Sequence, residues 1–380
     1  MQPALAPSAE QRRQQIMRAR QAVMQEGKSL PGALADPWIE RSWRRCLAGG
    51  LKPDGDVSFN VLGPHALRRT EEANHQLVQA ARPVLEQLGR AIANTHYFAI
   101  LTNAQGVVVD VSGPIDRHDR RVDLITRVGV DLSEHSVGTT AIGAALTELQ
   151  PVWLHRGEHF FKATSDYSCA GAPLFGPHGQ CVGMLDLTGV DSIERPELKH
   201  LVSQSARSIE NALTLSHPHG LLIRLNWPGR ALGDDSDGLV CLDVDGCVSA
   251  ANQTARQMVP QLSMAAYSTL HCSDLFALPF ETLFDGARRQ DALQASALEV
   301  PLWTGLRLHA LPLLPGQGRR AQAARAVEGR AAAPRPLKDI ETALIRQAVD
   351  DARGNVVQAA RALGVSRATV YRRLGPGRRG

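Results

Sequence analysis

Arg367, Thr369, Tyr371, Arg372 and Arg373 crowd into residues 367–373. Their side chains suit one chemistry: a guanidinium fork matches guanine O6 and N7 or a phosphate, and hydroxyls can bond either. A second group lies upstream. His155, Glu158 and His159 in HRGEH spell the letters of a zinc-hydrolase motif, which needs both imidazoles on one helical face. The preceding PVWL and the intervening Gly157 predict a strand running into a loop instead, so no metal is expected there. Cys169 and Cys181 offer thiol chemistry, which requires an accessible, electropositive setting. The cysteines at 46, 169, 181, 241, 247 and 272 include no close CxxC pair, which argues against structural zinc. The stretch AVMQEGKS, Ala22–Ser29, loosely fits a phosphate loop. Such a loop follows a buried strand, whereas RRQQIMRARQ before it is polar and helical in pattern. No nucleotide, metal or cofactor site is therefore expected.

Presenting those arginines together requires a short, well-capped helix on a small core. Leu337–Ala352 reads as an amphipathic helix with Leu337, Ile340, Leu344 and Ala348 on one stripe, stopped by Gly354. Asn355 caps a second helix whose Val356, Ala360 and Leu363 face inward. Gly364 makes the turn, Val365 plugs beneath it, and Ser366 caps a third helix with Val370 and Leu374 inward. That is the helix-turn-helix plan, with Asn355, Ser366, Arg367, Thr369, Tyr371, Arg372 and Arg373 as candidate DNA contacts. The plainer alternative is a three-helix cap with a solvated arginine face. Residues 316–380 carry 14 Lys and Arg against 5 Asp and Glu, a surplus of nine. With a formal charge of +4 overall, the rest of the chain stands at −5. An acidic body with a basic end suits a polyanion partner, or a solubilising tail.

Upstream, the pattern predicts a multidomain chain. Residues 1–73 read as polar helices, with Trp38, Ser42, Trp43 and Leu47 in PWIERSWRRCL near helical spacing for docking. Residues 74–215 read as an α+β sensor domain. It begins with a helix carrying Leu77, Val84, Leu88 and Ile92 on one side, and two strands follow, turning at Asn103–Gly106. VGTTAIGAALTEL is a small-residue helix, PVWL a strand, SCAGAPLFGPHGQCVGMLDLTG a hairpin, and ELKHLVSQSARSIENALTL a closing helix. Residues 225–315 read as a second α+β unit, with an Asp245–Gly246 turn between strands and a helix from Asn252. Residues 316–336, rich in Ala, Arg, Gly, Pro and Gln, read as a linker, and 337–380 as the all-α DNA-binding unit.

Hydrophobic residues are 43% and charged residues 21%, as in globular proteins, whereas aromatics are 4%, so cores must be aliphatic. Few stacking platforms remain for single-stranded nucleic acid. Residues 1–15 lack an apolar h-region and no run of 18 apolar residues occurs, so neither a secretory signal nor a membrane span is expected. A cytoplasmic location with reduced thiols is the expectation.

The C-terminal stretch resembles the Fis-type helix-turn-helix at Gly354, Asn355, Ala359, Ala360, Leu363, Gly364, Arg367, Thr369, Tyr371, Arg372 and Leu374. RSWRRCLAGGLKPD, EHSVGTTAIGAAL and GEHFFKATSDYSCAGAPLFGPHGQCVGMLDLTG resemble the sensor half of the acetoin/glycerol-catabolism regulators. Those are built as GAF sensor, AAA+ ATPase and Fis-type helix-turn-helix. VCLDVDGCVSAAN looks like the start of a PAS domain. Together the resemblance covers most of residues 36–374. It implies a GAF sensor at 74–215, a PAS-like unit at 225–315, a homodimer on double-stranded DNA, and a small-molecule effector such as an alcohol, ketone or diol. The chain departs from the family in having a short linker where the ATPase and its sigma-54-touching loop should lie. It is therefore expected to act without its own ATPase, by contact with RNA polymerase or by occlusion.

By that resemblance a pocket between sheet and helices would hold the effector, with His135, Thr139, Glu158, His159, Cys169 and Asp186 as candidates. Several of these equally suit a satisfied core or a turn. Two other classes remain open: a GAF-type redox enzyme resembling methionine-sulfoxide reductases and using the thiols, and a truncated regulator that titrates a full-length relative. A redox or iron sensor built from the thiols and His159 is a further variant.

Overall fold

Alternating and 3.6-period apolar patterns become two antiparallel sheets and a terminal helical triad in the computed structural model, which describes residues 9–28, 35–264, 270–289, 297–316, 337–352 and 354–374. The expected linker from 317 onward and the basic end 375–380 lie outside the described residues. The chain divides into two units: residues 1–173, 183–206 and 334–380 form one, and 174–182 with 207–333 the other.

In the first unit the helices α1 (Ala9–Arg20), α2 (Pro37–Ala48), α3 (Pro64–Ala73) and α4 (His75–Ala91) precede strands β1 (Tyr97–Asn103) and β2 (Val108–Ser112). Then come α5 (Arg120–Ile125), α6 (Glu134–Val137), α7 (Ala141–Glu148), β3 (Val152–His155), β4 (Tyr167–Phe175), β5 (Cys181–Val190) and α8 (Leu198–Ser216), although residues 174–182 of the β4–β5 hairpin and α8 from residue 207 onward are counted in the other unit. The sheet order is β2-β1-β5-β4-β3. Every residue of β1 is buried, so the strand is covered on both faces. Its alternate residues Phe98 and Ile100 share a core with Ala19 of α1 and with Trp38, Ile39, Trp43 and Cys46 of α2. Helices α1 and α2 thus contribute side chains to the core of the sheet. Pro37 sits at the first position of α2, where a missing N–H costs nothing.

On α4 the buried stripe is Leu77, Ala81, Leu85 and Leu88. Val84, expected there, is half-buried, and Leu85 takes the inward place. The stretch VGTTAIGAALTEL is not one helix. Gly138 breaks it with φ +68°, and Thr140 Oγ1 then caps α7 by accepting from Gly143 N at 3.2 Å. A Cβ on Gly143 would fall 2.7–2.9 Å from Glu134 atoms, so glycine lets α6 and α7 meet.

The second unit holds β6 (Leu221–Asn226), β7 (Gly238–Leu242), β8 (Val248–Ala251), α9 (Gln253–Met258), α10 (Gln261–Met264), α11 (Cys272–Leu275), α12 (Glu281–Arg289), β9 (Leu298–Pro301) and β10 (Arg307–Leu313). Its antiparallel order is β8-β7-β6-β10-β9, so the central strand starts at Leu221, ahead of residue 225. Gly246 makes the Asp245–Gly246 turn with φ +85°. Asn252 caps α9, its Oδ1 accepting from Ala255 N at 2.8 Å.

The triad is α13 (Leu337–Asp351), α14 (Val356–Leu363) and α15 (Arg367–Leu374). Ile345, Ala360, Leu363 and Val370 form its core, with Val356, Val365 and Leu374 against them. Leu344 is buried as expected, whereas the side chains of Leu337 and Ile340 lie outside the described residues. No described helix is long and apolar enough to cross a membrane.

Candidate ligand cavity and nucleic-acid interface

Three of the six proposed pocket residues come together. Asp186 and Thr188, two apart on β5, point to the same side of the sheet, where Cys169 and Tyr167 of β4 join them. A single 3₁₀ turn, Arg156–Glu158, delivers His159. With Ile100, Ile125, Leu132, Val137 and Ile142 they line a cavity of about 30 Å³, room for roughly two waters.

A polar relay crosses the cavity wall. His159 Nδ1 lies 2.9 Å from the Arg156 carbonyl and must donate to it, leaving Nε2 as an acceptor 3.6 Å from Cys169 Sγ. Cys169 Sγ is 3.3 Å from Thr188 Oγ1, and Thr188 donates to Asp186 Oδ2. Asp186 Oδ1 is buried with no hydrogen-bond partner among the described residues. Burial pushes Asp186 up to about 7 against the opposing bond from Thr188. Burial pulls His159 down to about 4 and drives the Cys169 thiol well up, with the Asp186 charge adding to the latter. A fully enclosed, protonated thiol is not a nucleophile. Cys181 opens β5 on the far side of the hairpin turn, and Cys169 turns to His159 and Thr188 instead. No disulfide joins any of the six cysteines.

The other three candidates stand outside the cavity. His135 is exposed on α6. Thr139 faces α2, its Oγ1 2.7 Å from Ser42 Oγ and 3.6 Å from Cys46 Sγ. Glu158 turns away to accept from Arg12 at 2.7 Å and from His155 N at 2.6 Å, though burial still raises its pKa. These bonds form a clamp on the turn that carries His159. Arg20 of α1 donates to the carbonyls of Gly157 at 3.0 Å and Phe160 at 2.8 Å, and to His159 O. Trp43 Nε1 donates to Glu158 O at 2.9 Å. Arg45 forks onto Glu134 at 2.6 and 2.9 Å and reaches Glu148 at 2.9 Å, tying α2 to α6 and α7.

The HRGEH letters are a strand and a tight turn, with His155 Nδ1 held 2.5 Å from Ser168 Oγ. In AVMQEGKS, residues Gln21–Gln25 are helical and Lys28 Nζ pairs with Glu26 at 2.7 Å, so no phosphate loop forms; Ser29 lies outside the described residues. Thr188 and Tyr167 were not anticipated. The period of two from Asp186 and from Cys169 was the available signal for each.

On the helical triad, Arg367, Tyr371 and Arg372 are exposed on α15, and Arg373 and Thr369 are half-buried. Asn355 Oδ1 accepts from Val357 N at 3.1 Å and Gln358 N at 3.2 Å. Ser366 Oγ accepts from Thr369 N at 3.1 Å and lies 2.9 Å from Thr369 Oγ1. Asn355 and Ser366 are therefore caps that orient α14 and α15, and the outward arginines form the exposed cationic face. Gly364, at φ +67°, closes α14 so that α15 can leave at an angle.

Residues 13–211 match the family described as MimR, N-terminal domain, and residues 336–375 match the bacterial regulatory protein, Fis family. An acetoin catabolism regulatory protein of Cupriavidus necator is 32% identical over 268 residues, 67% of this chain and 38% of that protein. The acetoin dehydrogenase operon transcriptional activator AcoR of Bacillus subtilis is 28% identical over 179 residues, 46% of this chain and 29% of that protein. The propane 2-monooxygenase operon transcriptional activator MimR of Mycolicibacterium goodii is 29% identical over 198 residues, 52% of this chain and 33% of that protein. The chain thus spans about a third of the length of these relatives.

Proposed function

The chain belongs to the MimR N-terminal-domain family, and from that premise we propose that it is an effector-responsive transcription regulator of a catabolic operon. The observation that carries the reading is α15: a capped helix on an independent core, presenting Arg367, Tyr371 and Arg372 to solvent. Its N-terminal residues enter the major groove of double-stranded DNA, with Arg367 and Arg372 on bases or phosphates. Thr369 and Arg373 support them from the flank. Asn355 and Ser366 act by fixing the helices.

The first sheet with its flanking helices is a GAF-like sensor, and the second a PAS-like unit. A small molecule in the cavity at His159, Cys169 and Asp186 shifts the chain between two arrangements, by as much as its affinities for them differ. The protein works as a homodimer in the cytoplasm. Only residues 314–336 separate β10 from α13, so it acts on RNA polymerase or by occlusion, without an ATPase of its own. The buried, protonated Cys169 disfavours the redox-enzyme reading. Footprinting the DNA upstream of the chain's own gene tests the proposal. A dimer is expected to protect two half-sites about 34 Å apart, or a multiple of that. Protection of a single half-site would remove the dimer, and no protection at all would remove the operator.

A further inference from the structure

Two buried charged side chains hold the tip of the β4–β5 hairpin. Residues 174–182 belong to the second unit together with 207–333, while the two strands continue into the first sheet. Glu210 of α8 is buried, and its Oε1 accepts from Phe175 N at 2.9 Å. Arg256 of α9 is buried as well. Its Nη2 donates to Pro177 O at 3.0 Å and to Ala251 O at 3.1 Å, and its Nη1 to Leu262 O at 2.8 Å. Pro177 O accepts a second bond, from Ala251 N of β8 at 2.9 Å. Gly179, at φ +85°, lies against the guanidinium, since a Cβ there would fall 2.8 Å from Arg256 Cζ. Asn252 Nδ2 donates to Asn211 Oδ1 at 2.7 Å, which ties α8 to α9 beside both charges. We propose that Glu210 is a proton-sensitive latch on this tip, closed while its carboxyl is protonated and loosened when it ionises, with Arg256 as the fixed jaw.

Burial sets the sign. It pushes Glu210 up to about 7, against the Phe175 N–H and the charges of Arg207 and Arg256. Opening the tip returns the carboxyl to water and to about 4.3. The closed tip therefore binds the extra proton, and its advantage falls as pH rises from about 4.3 to about 7. Arg256, which burial pulls down to about 10, keeps its charge throughout. Three histidines gather at the same place: His178 on the tip meets His217 edge-on with ring centroids 5.2 Å apart, and His219 follows. Burial first, then the charges of His178 and His219, hold His217 below its usual value. Protonating that cluster puts like charges on the tip and on the chain after α8, which loosens the tip as pH falls. The histidines thus act in the opposite sense to Glu210, and the direction of the pH response tells the two apart.

The test is amide exchange in the full chain, read at residues 175–180 and corrected for the intrinsic rate at each pH. Between pH 6 and pH 8 the protection of the wild type should fall about tenfold, the ratio set by a midpoint of about 7 in the closed state. Glu210→Gln keeps an oxygen for Phe175 N and cannot ionise, so its protection should stay near the wild-type pH 6 level across the range. A flat or rising wild-type profile, or a fall that persists in Glu210→Gln, would overturn the proposal. Should that variant fail to fold, as judged by its amide spectrum, the carboxyl carbon resonance of Glu210 in the wild type decides. Its titration midpoint should coincide with the loss of protection, and a midpoint below about pH 5 would overturn the latch. Neither DNA nor an effector enters the assay, so its failure leaves the regulator reading untouched.

Discussion

Asp186 and His159 face the same small space and respond to pH in opposite senses. The folded-state pKa of Asp186, about 7, lies above its unfolded value. The folded protein therefore holds the extra proton between about pH 4 and 7, and this group's contribution to stability falls as pH rises through that window. His159, at about 4 when folded, stays neutral while the unfolded chain protonates, so its contribution falls as pH drops from about 6.5 to 4. Asp186→Asn should match the wild type near pH 4 and exceed it by up to a few kcal/mol at pH 7 and above. Thermal unfolding from pH 4.5 to 8 checks this, and a pH-independent difference would contradict it. At the other end of the chain, Asn355→Ala removes two bonds to the first turn of α14 and should cost about 1 kcal/mol in the stability of the triad. Amide exchange across residues 356–363 reads that loss.

Among the elements, α1 matters most for the cavity without touching it. Arg20 holds the carbonyls of Gly157, His159 and Phe160 around the turn that delivers His159, and Arg12 offsets the buried Glu158 carboxylate. Arg20→Ala should speed amide exchange through residues 157–160 while leaving β4 and β5 protected, since the strands keep their ladders. Uniform protection would mean that the turn stands without α1. Gly143→Ala should cost roughly 1–3 kcal/mol and loosen the Arg45 fork, because the added Cβ meets the backbone of Glu134 and not a flexible side-chain end. The other nine strands, the hairpin turns, the start of α9 at Asn252 and the caps at Asn355 and Ser366 were legible, since each depends on residues close in sequence. Strand β6 was not. Its LLIRLN carries Arg224 in mid-strand, a residue that reads as exposed until Asp237 is found 2.9 Å away in a buried pair. The split between α6 and α7 was missed because Gly138 acts through a left-handed φ and the approach of Phe160 and Phe161, neither visible in a small-residue pattern.

At the scale of the whole molecule, the cavity was half legible: His159, Cys169 and Asp186 were named, but His135, Thr139 and Glu158 were named with them. Sheet order decides that membership, since β5 lies between β1 and β4 and brings Ile100, Asp186 and Cys169 across one face from distant parts of the chain. The helical triad was legible because a helix-turn-helix is local: its caps, its turn glycine and its outward arginines fall within residues 354–374. Charge separates the same way, with a surplus of nine from residue 316 onward and −5 before it. The most direct measurement is the affinity of the protein for the duplex upstream of its own gene and for a shuffled duplex, between about 50 and about 200 mM salt, beside Arg367→Ala/Arg372→Ala. The account predicts tighter binding to the native duplex, falling steeply with salt, and a double variant weakened there by on the order of a hundredfold with a shallower slope. Equal, weak binding of both duplexes by both proteins would contradict it, and α15 would be a solvated basic face.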